Sequence, residues 1–282
     1  MISLVSSLLL SLTGIVAGII GALTGLGGAV IITPVLSILF GVPLEYAAGA
    51  SLVATIATSS GSAVAYIKDK VTNIRIGMSL EIATTAGAIF GALAAAFVYS
   101  HNLAYLIFIA FGSALLLSIY PTLKNRNFQK KNKPDHSTEV FQLRGSYYDK
   151  AEKKTIAYSG VRWWLGEGIM FIAGTLSGLL GVGSGVLKVL AMDSGMRLPI
   201  KVSTATSNFM IGVTAVTGSA IYWGLGYIRP FLVTPVIIGV LIGAAIGTRI
   251  MQQQQGSKVR TLFIIILAII SVEMILKGLG IA

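Results

Sequence analysis

Glycines, small hydroxyl residues and a few isolated charges are the groups in this chain whose types and spacing could do chemistry. Two dense clusters, Gly25-Leu26-Gly27-Gly28 and Gly181-Val182-Gly183-Ser184-Gly185, each interrupt an otherwise apolar run. Glycine tolerates positive φ and close backbone approach, so each cluster suits a sharp break between two half-helices. The amides that open the helix after such a break have no partner within it and carry about half a positive charge. An anion can be held there without a buried cation. A nucleotide phosphate loop does not fit, because no soluble strand precedes either cluster and no Gly-Lys-Ser/Thr follows.

Hydroxyls gather downstream of both clusters: Ser51, Thr55, Thr58, Ser59, Ser60 and Ser62, then Ser203, Thr204, Thr206, Ser207 and Thr214, with Asn208 beside them. They could complete an anion site as neutral donors, or simply bond their own helix backbones. Lys188 falls in a short apolar segment four residues after Ser184. A lysine at that depth costs ~2.5–3.5 kcal/mol on insertion scales, so it needs a partner or a wet cavity. It is expected to attract an anion or shuttle a proton; pairing with Asp193 or Glu167, or snorkelling to an interface, is the plainer alternative. Glu81 is the acidic candidate for proton coupling, unless it sits near a membrane face beside Arg75 or Lys70.

The elements that must position these groups come in two copies. Gly18, Leu23, Gly25, Gly27, Val30, Pro43, Ser51, Thr58, Tyr66, Gly87, Ala88 and Gly91 recur, 156 positions on, as Gly174, Leu179, Gly181, Gly183, Val186, Pro199, Ser207, Thr214, Tyr222, Gly243, Ala244 and Gly247. Ser51 thus matches Ser207 and Thr58 matches Thr214, which favours a site on a pseudo-twofold axis. Lys188, Glu81 and Asn208 have only Ile32, Ile237 and Leu52 as counterparts. Each copy holds five apolar segments, roughly 2–22, 27–41, 45–67, 74–98 and 103–121, then 162–180, 184–196, 200–223, 230–251 and 260–280. An odd number of segments per copy makes the second copy enter the bilayer from the opposite face, the inverted repeat of secondary transporters. The segments 27–41 and 184–196 are short enough to be half-helices or re-entrant pieces.

Composition agrees with a membrane setting. Of 282 residues, 55% are hydrophobic and 11% charged, against about 25% charged in soluble domains, and the mean hydropathy is +0.84. The expected fold is an all-α polytopic membrane protein: an N-terminal repeat over 1–121, a basic loop over 122–161 and an inverted C-terminal repeat over 162–282. The alternation that a membrane barrel requires is absent. Residues 2–22 read as a retained segment, since the first basic residue is Lys68 and no positive n-region precedes it. Lys68, Lys70, Arg75, the loop, Arg197, Lys201, Arg249, Lys258 and Arg260 share one face and only Arg229 and Lys277 the other. The crowded face is therefore expected to be cytoplasmic in a cell membrane, with both termini outside. The loop is expected to be a tether resting on anionic lipid headgroups.

Other function classes find little support. The net charge of +11 is spread between apolar segments rather than over one face, which argues against nucleic acid. The chain has no cysteine, and neither metal nor haem ligands cluster, so no cofactor is expected. Ser184 has no in-span histidine to activate it, and Asp193 has no carboxylate twin, so an enzyme is not expected. The glycine pairs spaced by four, Gly14/Gly18, Gly21/Gly25, Gly87/Gly91, Gly174/Gly178 and Gly243/Gly247, are expected to serve close helix packing.

The segments Gly21-Ala-Leu-Thr-Gly-Leu-Gly-Gly-Ala-Val-Ile-Ile-Thr-Pro34 and Gly178-Leu-Leu-Gly-Val-Gly-Ser-Gly-Val-Leu-Lys188 resemble the paired glycine-rich motifs of the TauE/SafE sulfite exporter family. So do the proline-led helices that follow, which begin Val42-Pro43 and Leu198-Pro199 and carry Ala-Gly-Ala-Ser51 and Thr-Ala-Thr-Ser207-Asn208. The resemblance covers both repeats and leaves out the central loop. It implies export of sulfite, an organosulfonate or a related small anion by alternating access. An anion-selective channel of the same architecture is the alternative. Ala29 stands where a third glycine is common, Ser184 replaces one in the second copy, and Leu190 sits where a proline often occurs. The residues expected to bind solute are Gly25, Gly27, Gly28, Ser51, Thr58, Gly181, Gly183, Ser184, Gly185, Lys188, Thr206, Ser207 and Asn208, with Glu81 as the proton-coupling candidate.

Overall fold

The computed structural model describes residues 4–101, 103–124, 134–180 and 184–280. Helix α1 spans Leu4–Thr24 and α2 spans Ala29–Pro34, running on into a π turn at Val35–Leu39. Then come α3 (Leu44–Lys68), α4 (Ile74–Ser100) and α5 (Ala104–Lys124). The central segment carries α6 (His136–Val140) and strands β1 (Arg144–Asp149) and β2 (Lys154–Ser159). The second copy follows as α7 (Trp163–Leu180), α8 (Gly185–Leu190) with its π turn at Ala191–Gly195, α9 (Ile200–Gly224), α10 (Pro230–Gln253) and α11 (Gly256–Gly278). All ten expected segments find a helix close to their expected bounds.

Five of the described helices are long and apolar enough to cross a membrane by length and hydropathy. Their outward faces present Leu8 and Leu12, Ile82, Phe90 and Phe97, Ile238 and Ile242, and Ile265 and Ile269, all exposed in the isolated chain. Such an apolar girdle is what lipid tails cover. The chain is an all-α polytopic membrane protein.

Prolines and glycines set the local geometry. Pro43 and Pro199 stand at the N-caps of α3 and α9 with extended ψ of 143° and 138°, where a missing amide costs nothing. Pro34 precedes the first π turn but Leu190 precedes the second, so proline is not what opens these turns. Both close with the same long-range bond, Val42 N to Leu36 O at 3.0 Å and Leu198 N to Met192 O at 2.9 Å.

Helix packing repeats the duplication. Helix α1 lies along α10 in the same direction, and α4 lies along α7 likewise. A Cβ on Gly239 would sit 2.0 Å from Ser11 O, and one on Gly91 would sit 2.0 Å from Thr175 O. These crossings admit only glycine, so the pairs Gly14/Gly18, Gly87/Gly91, Gly174/Gly178 and Gly243/Gly247 sit where backbones touch. Gly21 differs, because a Cβ there would meet Gly28 N at 2.4 Å; it serves the chain's own turn. Equivalent helices meet head to tail. In α3 and α9, Leu52 reaches Gly218 while Ser59 reaches Gly212; in α5 and α11, Gly112 lies by Ser271 and Ile275 while Gly278 lies by Tyr105 and Ile109. Exchanging the two halves turns α1 against α10 into α7 against α4, and maps the other two contacts onto themselves.

The central segment departs from the expected bare tether. Over its described part, Asp135 caps α6 by accepting from Thr138 N at 2.9 Å, and β1 and β2 pair antiparallel from Arg144↔Ser159 to Asp149↔Lys154. The hairpin is strapped to the helix bundle: Asp149 accepts from Lys201 at 2.9 Å, and Lys150 donates to Asp69 at 2.9 Å and Gln252 at 3.0 Å. Asn73 donates to Tyr158 Oη at 3.1 Å, and Arg75 bonds Gln142. Burial pushes the Asp149 carboxyl up, but the Lys201 ammonium and the amides of Glu152 and Ala151 outweigh it and hold it below the usual carboxylate range. Asp135 is likewise held low: burial raises it less than four hydrogen bonds, from Ser137, Arg162 and Thr138, lower it.

Candidate functional site

The first glycine cluster folds the chain back on itself. Gly25, Gly27 and Gly28 take φ of 79°, 77° and 77°, values that carry little strain only for glycine. Gly28 comes to rest against Ala17 O, which a Cβ would approach to 2.9 Å, so α2 returns alongside α1. The second copy does the same, because Met196, beyond the π turn after α8, packs on Gly166 near the start of α7, and Val161 N bonds Met196 O at 3.1 Å. The two short segments are therefore the short return limbs of helical hairpins. At about 1.5 Å per residue, eleven residues of limb fall well short of a bilayer core.

The two hairpin tips meet. A Cβ on Gly185 would lie 2.5 Å from Gly25 O and 2.6 Å from Leu26 Cα. Ser207 Oγ stands 2.8 Å from Gly25 O and 3.3 Å from Gly185 O, so one hydroxyl serves both tips. Asn208 Nδ2 donates to Ala22 O at 3.0 Å. Two wholly buried tyrosines brace the helix ends behind the tips: Tyr66 donates to Ala22 O at 2.9 Å, and its repeat partner Tyr222 lies 3.2 Å from both Gly178 O and Leu179 O. Gly181 and Gly183 lie outside the described residues.

Several polar atoms around the tips have no partner. Ser184 Oγ, Ser203 Oγ, Thr204 Oγ1 and Asn208 Oδ1 are all buried and unbonded. Leaving such groups unmet costs ~1–3 kcal/mol each, so their concentration beside α9 and the tips is an energetic debt that a polar ligand or water would relieve. The remaining expected residues divide. Thr58 lies beside Gly28 but donates to Ala54 O at 3.1 Å, and Ser51 donates to Ala48 O at 3.0 Å while accepting from Thr33 at 2.8 Å. Thr206 stands apart: its hydroxyl accepts from Asn73 N at 3.1 Å and faces the connection between α3 and α4.

Lys188 lies one helical turn from Ser184, whose carbonyl accepts its amide at 2.9 Å. Its ammonium donates to Glu81 Oε2 at 2.9 Å and to Thr214 Oγ1 at 2.5 Å, and Thr214 in turn donates to Glu81 Oε1 at 2.5 Å. Thr85 adds a third bond to the carboxylate at 3.2 Å. Lys188 has 0% and Glu81 4% of its surface exposed, so this is a sealed ion pair. Neither expected partner, Asp193 or Glu167, holds the lysine. Asp193 pairs with Arg260 at 2.5 Å, and Glu167 keeps one buried carboxylate oxygen unbonded. The sequence signal for Glu81 with Lys188 was only that each lacks a polar counterpart in the other repeat. Thr214 was visible as a repeat hydroxyl, but its place between the two charges was not.

A glycine turn at Gly25–Gly28 packed on the start of α8 inside an apolar bundle, beside unmet hydroxyls and a sealed ion pair, defines a membrane protein built around a buried polar centre. The chain belongs to the sulfite exporter TauE/SafE family, whose model matches residues 10–274. It is 29% identical over 97% of its length to the probable membrane transporter protein YunE of Bacillus subtilis, covering 99% of that protein. It is 30% identical over 86% of its length to the probable membrane transporter protein YdhB of the same organism, covering 87% of it. No solved structure matches the chain significantly. The chain is a membrane transporter.

Proposed function

We propose that this chain is a secondary transporter of a small anion, of the sulfite, organosulfonate or related organic class, working by alternating access around the meeting point of the two hairpins. The observation that carries the reading is the contact of Gly25–Leu26 with Gly185 beside buried hydroxyls that bond nothing. Short neutral donors, positive helix starts and one lysine a turn away suit an oxyanion better than a cation or an apolar solute. The antiparallel packing of α3 on α9 and of α5 on α11 supports opposed repeats. A carrier built so can expose one centre to either face by rocking one part against the other. The crowding of Lys and Arg on the α3–α4 side supports a cytoplasmic hairpin, with the termini outside.

The test is a thermal-stability screen of the purified protein against sulfite, methanesulfonate, sulfate, thiosulfate and carboxylates. A ligand at 100 times its Kd stabilises a one-site protein by about 2.7 kcal/mol, so a specific anion stands out. Lys188→Arg should keep more of that stabilisation than Lys188→Ala. Equal, negligible effects of both changes on anion binding would remove Lys188 from the site, and no response to any anion would refute the reading.

A further inference from the structure

We propose that anion and proton bind together here: the anion takes Lys188 from Glu81, and the released carboxylate picks up one proton. This rests on the reading that Lys188 lies on the solute's path. The pair joins the halves of the chain, since Glu81 stands on α4 of the first copy and Lys188 on α8 of the second. The salt bridge is sealed, with side-chain exposures of 0% and 5%, so neither charge has water to fall back on. A monoanion that occupies the ammonium leaves Glu81 buried, charged and unpaired, which is strongly unfavourable. A proton from whichever aqueous face is open, placed on a Glu81 carboxylate oxygen, removes that penalty.

The charges balance. The empty centre holds Lys⁺ and Glu⁻; the loaded centre holds Lys⁺, the anion and neutral Glu. One anion and one proton enter, and the net charge of the centre stays zero throughout. Thr214 suits both states, because its hydroxyl donates to the ionised carboxylate now and can accept from the protonated one. Other groups do not compete for Glu81. From α9 it meets Thr214, Lys201 at the start of that helix being tied to Asp149. From α7 comes Glu167, which shares no hydrogen bond with it among the described residues; the turn after α8 brings Asp193, tied to Arg260. On α4 itself, Thr85 donates to it and Arg75 bonds Gln142. The consequence is electroneutral movement of anion and proton in one direction. Net flux reverses where the inside-to-outside anion ratio equals the outside-to-inside proton ratio, so export runs only when the outward anion gradient exceeds the opposing pH gradient.

The experiment uses the full chain in proteoliposomes with radiolabelled methanesulfonate and isethionate, which stay monoanions at any working pH. Counterflow of either label tests the transport reading alone. In wild-type vesicles a one-unit pH gradient should accumulate the label about tenfold on the alkaline side, and a valinomycin-clamped potential should change nothing. Glu81→Gln, a neutral isostere of the protonated acid, should lose accumulation by pH, and the flux it retains should become potential-driven. Counterflow with no pH-driven accumulation in wild type overturns the coupling and leaves the transporter. Failure of both anions in counterflow overturns the transport reading and the coupling with it. Because the wild-type reversal point alone decides the stoichiometry, the test stands even where Glu81→Gln fails to fold.

Discussion

Replacing Gly91 by alanine puts the α4–α7 crossing under a direct test. The new methyl would lie 2.0 Å from Thr175 O and 2.8 Å from Thr175 C, and both are backbone atoms that cannot swing aside. Ordinary contact begins at 3.4 Å, so the helices must part by more than an ångström along the whole seam. Overpacking of this kind costs ~1–3 kcal/mol, and the upper end applies because no rotamer relieves it. Gly239→Ala should cost as much, since its methyl would lie 2.0 Å from Ser11 O in the equivalent crossing of α1 on α10. Gly168→Ala is the control: it lies in α7, meets nothing within 4 Å and gains up to ~1 kcal/mol of helix propensity. Apparent melting temperature in one detergent, followed by tryptophan fluorescence, measures all three. The expected order is Gly91→Ala and Gly239→Ala below wild type, with Gly168→Ala at or above it. Melting of Gly91→Ala at the wild-type temperature would refute the claim that these backbones touch.

Two further outcomes follow from the polar contacts. The hairpin strap should loosen in acid: Asp149 is held below its unfolded pKa, so its contribution is whole above the unfolded value of about 3.9 and is lost as pH falls through the lower folded value. Spin labels at Glu152→Cys and Gln253→Cys should report a longer, broader distance in Asp149→Asn at neutral pH, with ~1.5–3 kcal/mol of docking lost. An unchanged distance would show that the Lys201 contact does not hold the hairpin. Among the tyrosines, Tyr222→Phe should lower the melting temperature, with about 1 kcal/mol lost, because its buried hydroxyl lies 3.2 Å from both Gly178 O and Leu179 O. Melting of the variant at the wild-type temperature would contradict this.

What could be read from the residues was whatever local chemistry dictates. Apolar runs fixed ten helices, because each helix satisfies its own backbone and lipid rewards a continuous apolar face. Prolines at positions 43 and 199 fixed where α3 and α9 begin, and the 156-residue repeat announced the duplication. The β-hairpin was not read from the residues, because a count of the segment's charges alone reads as a tether and its strands carry no clean polar–apolar alternation.

Tertiary structure decided every pairing between distant segments. Lys188 belongs to Glu81 rather than Asp193, and Asp193 to Arg260, because α4 and α11, far away in the chain, bring those partners. Thr206 turns towards Asn73 while its neighbour Ser207 turns to the hairpin tips, a difference of about 100° around one helix that composition does not reveal. Which carbonyls a hydroxyl meets, and whether the Gly25–Gly28 turn touches the start of α8, depends on how whole helices cross. Crossings are set by long-range backbone contact, and no window of adjacent residues contains that contact.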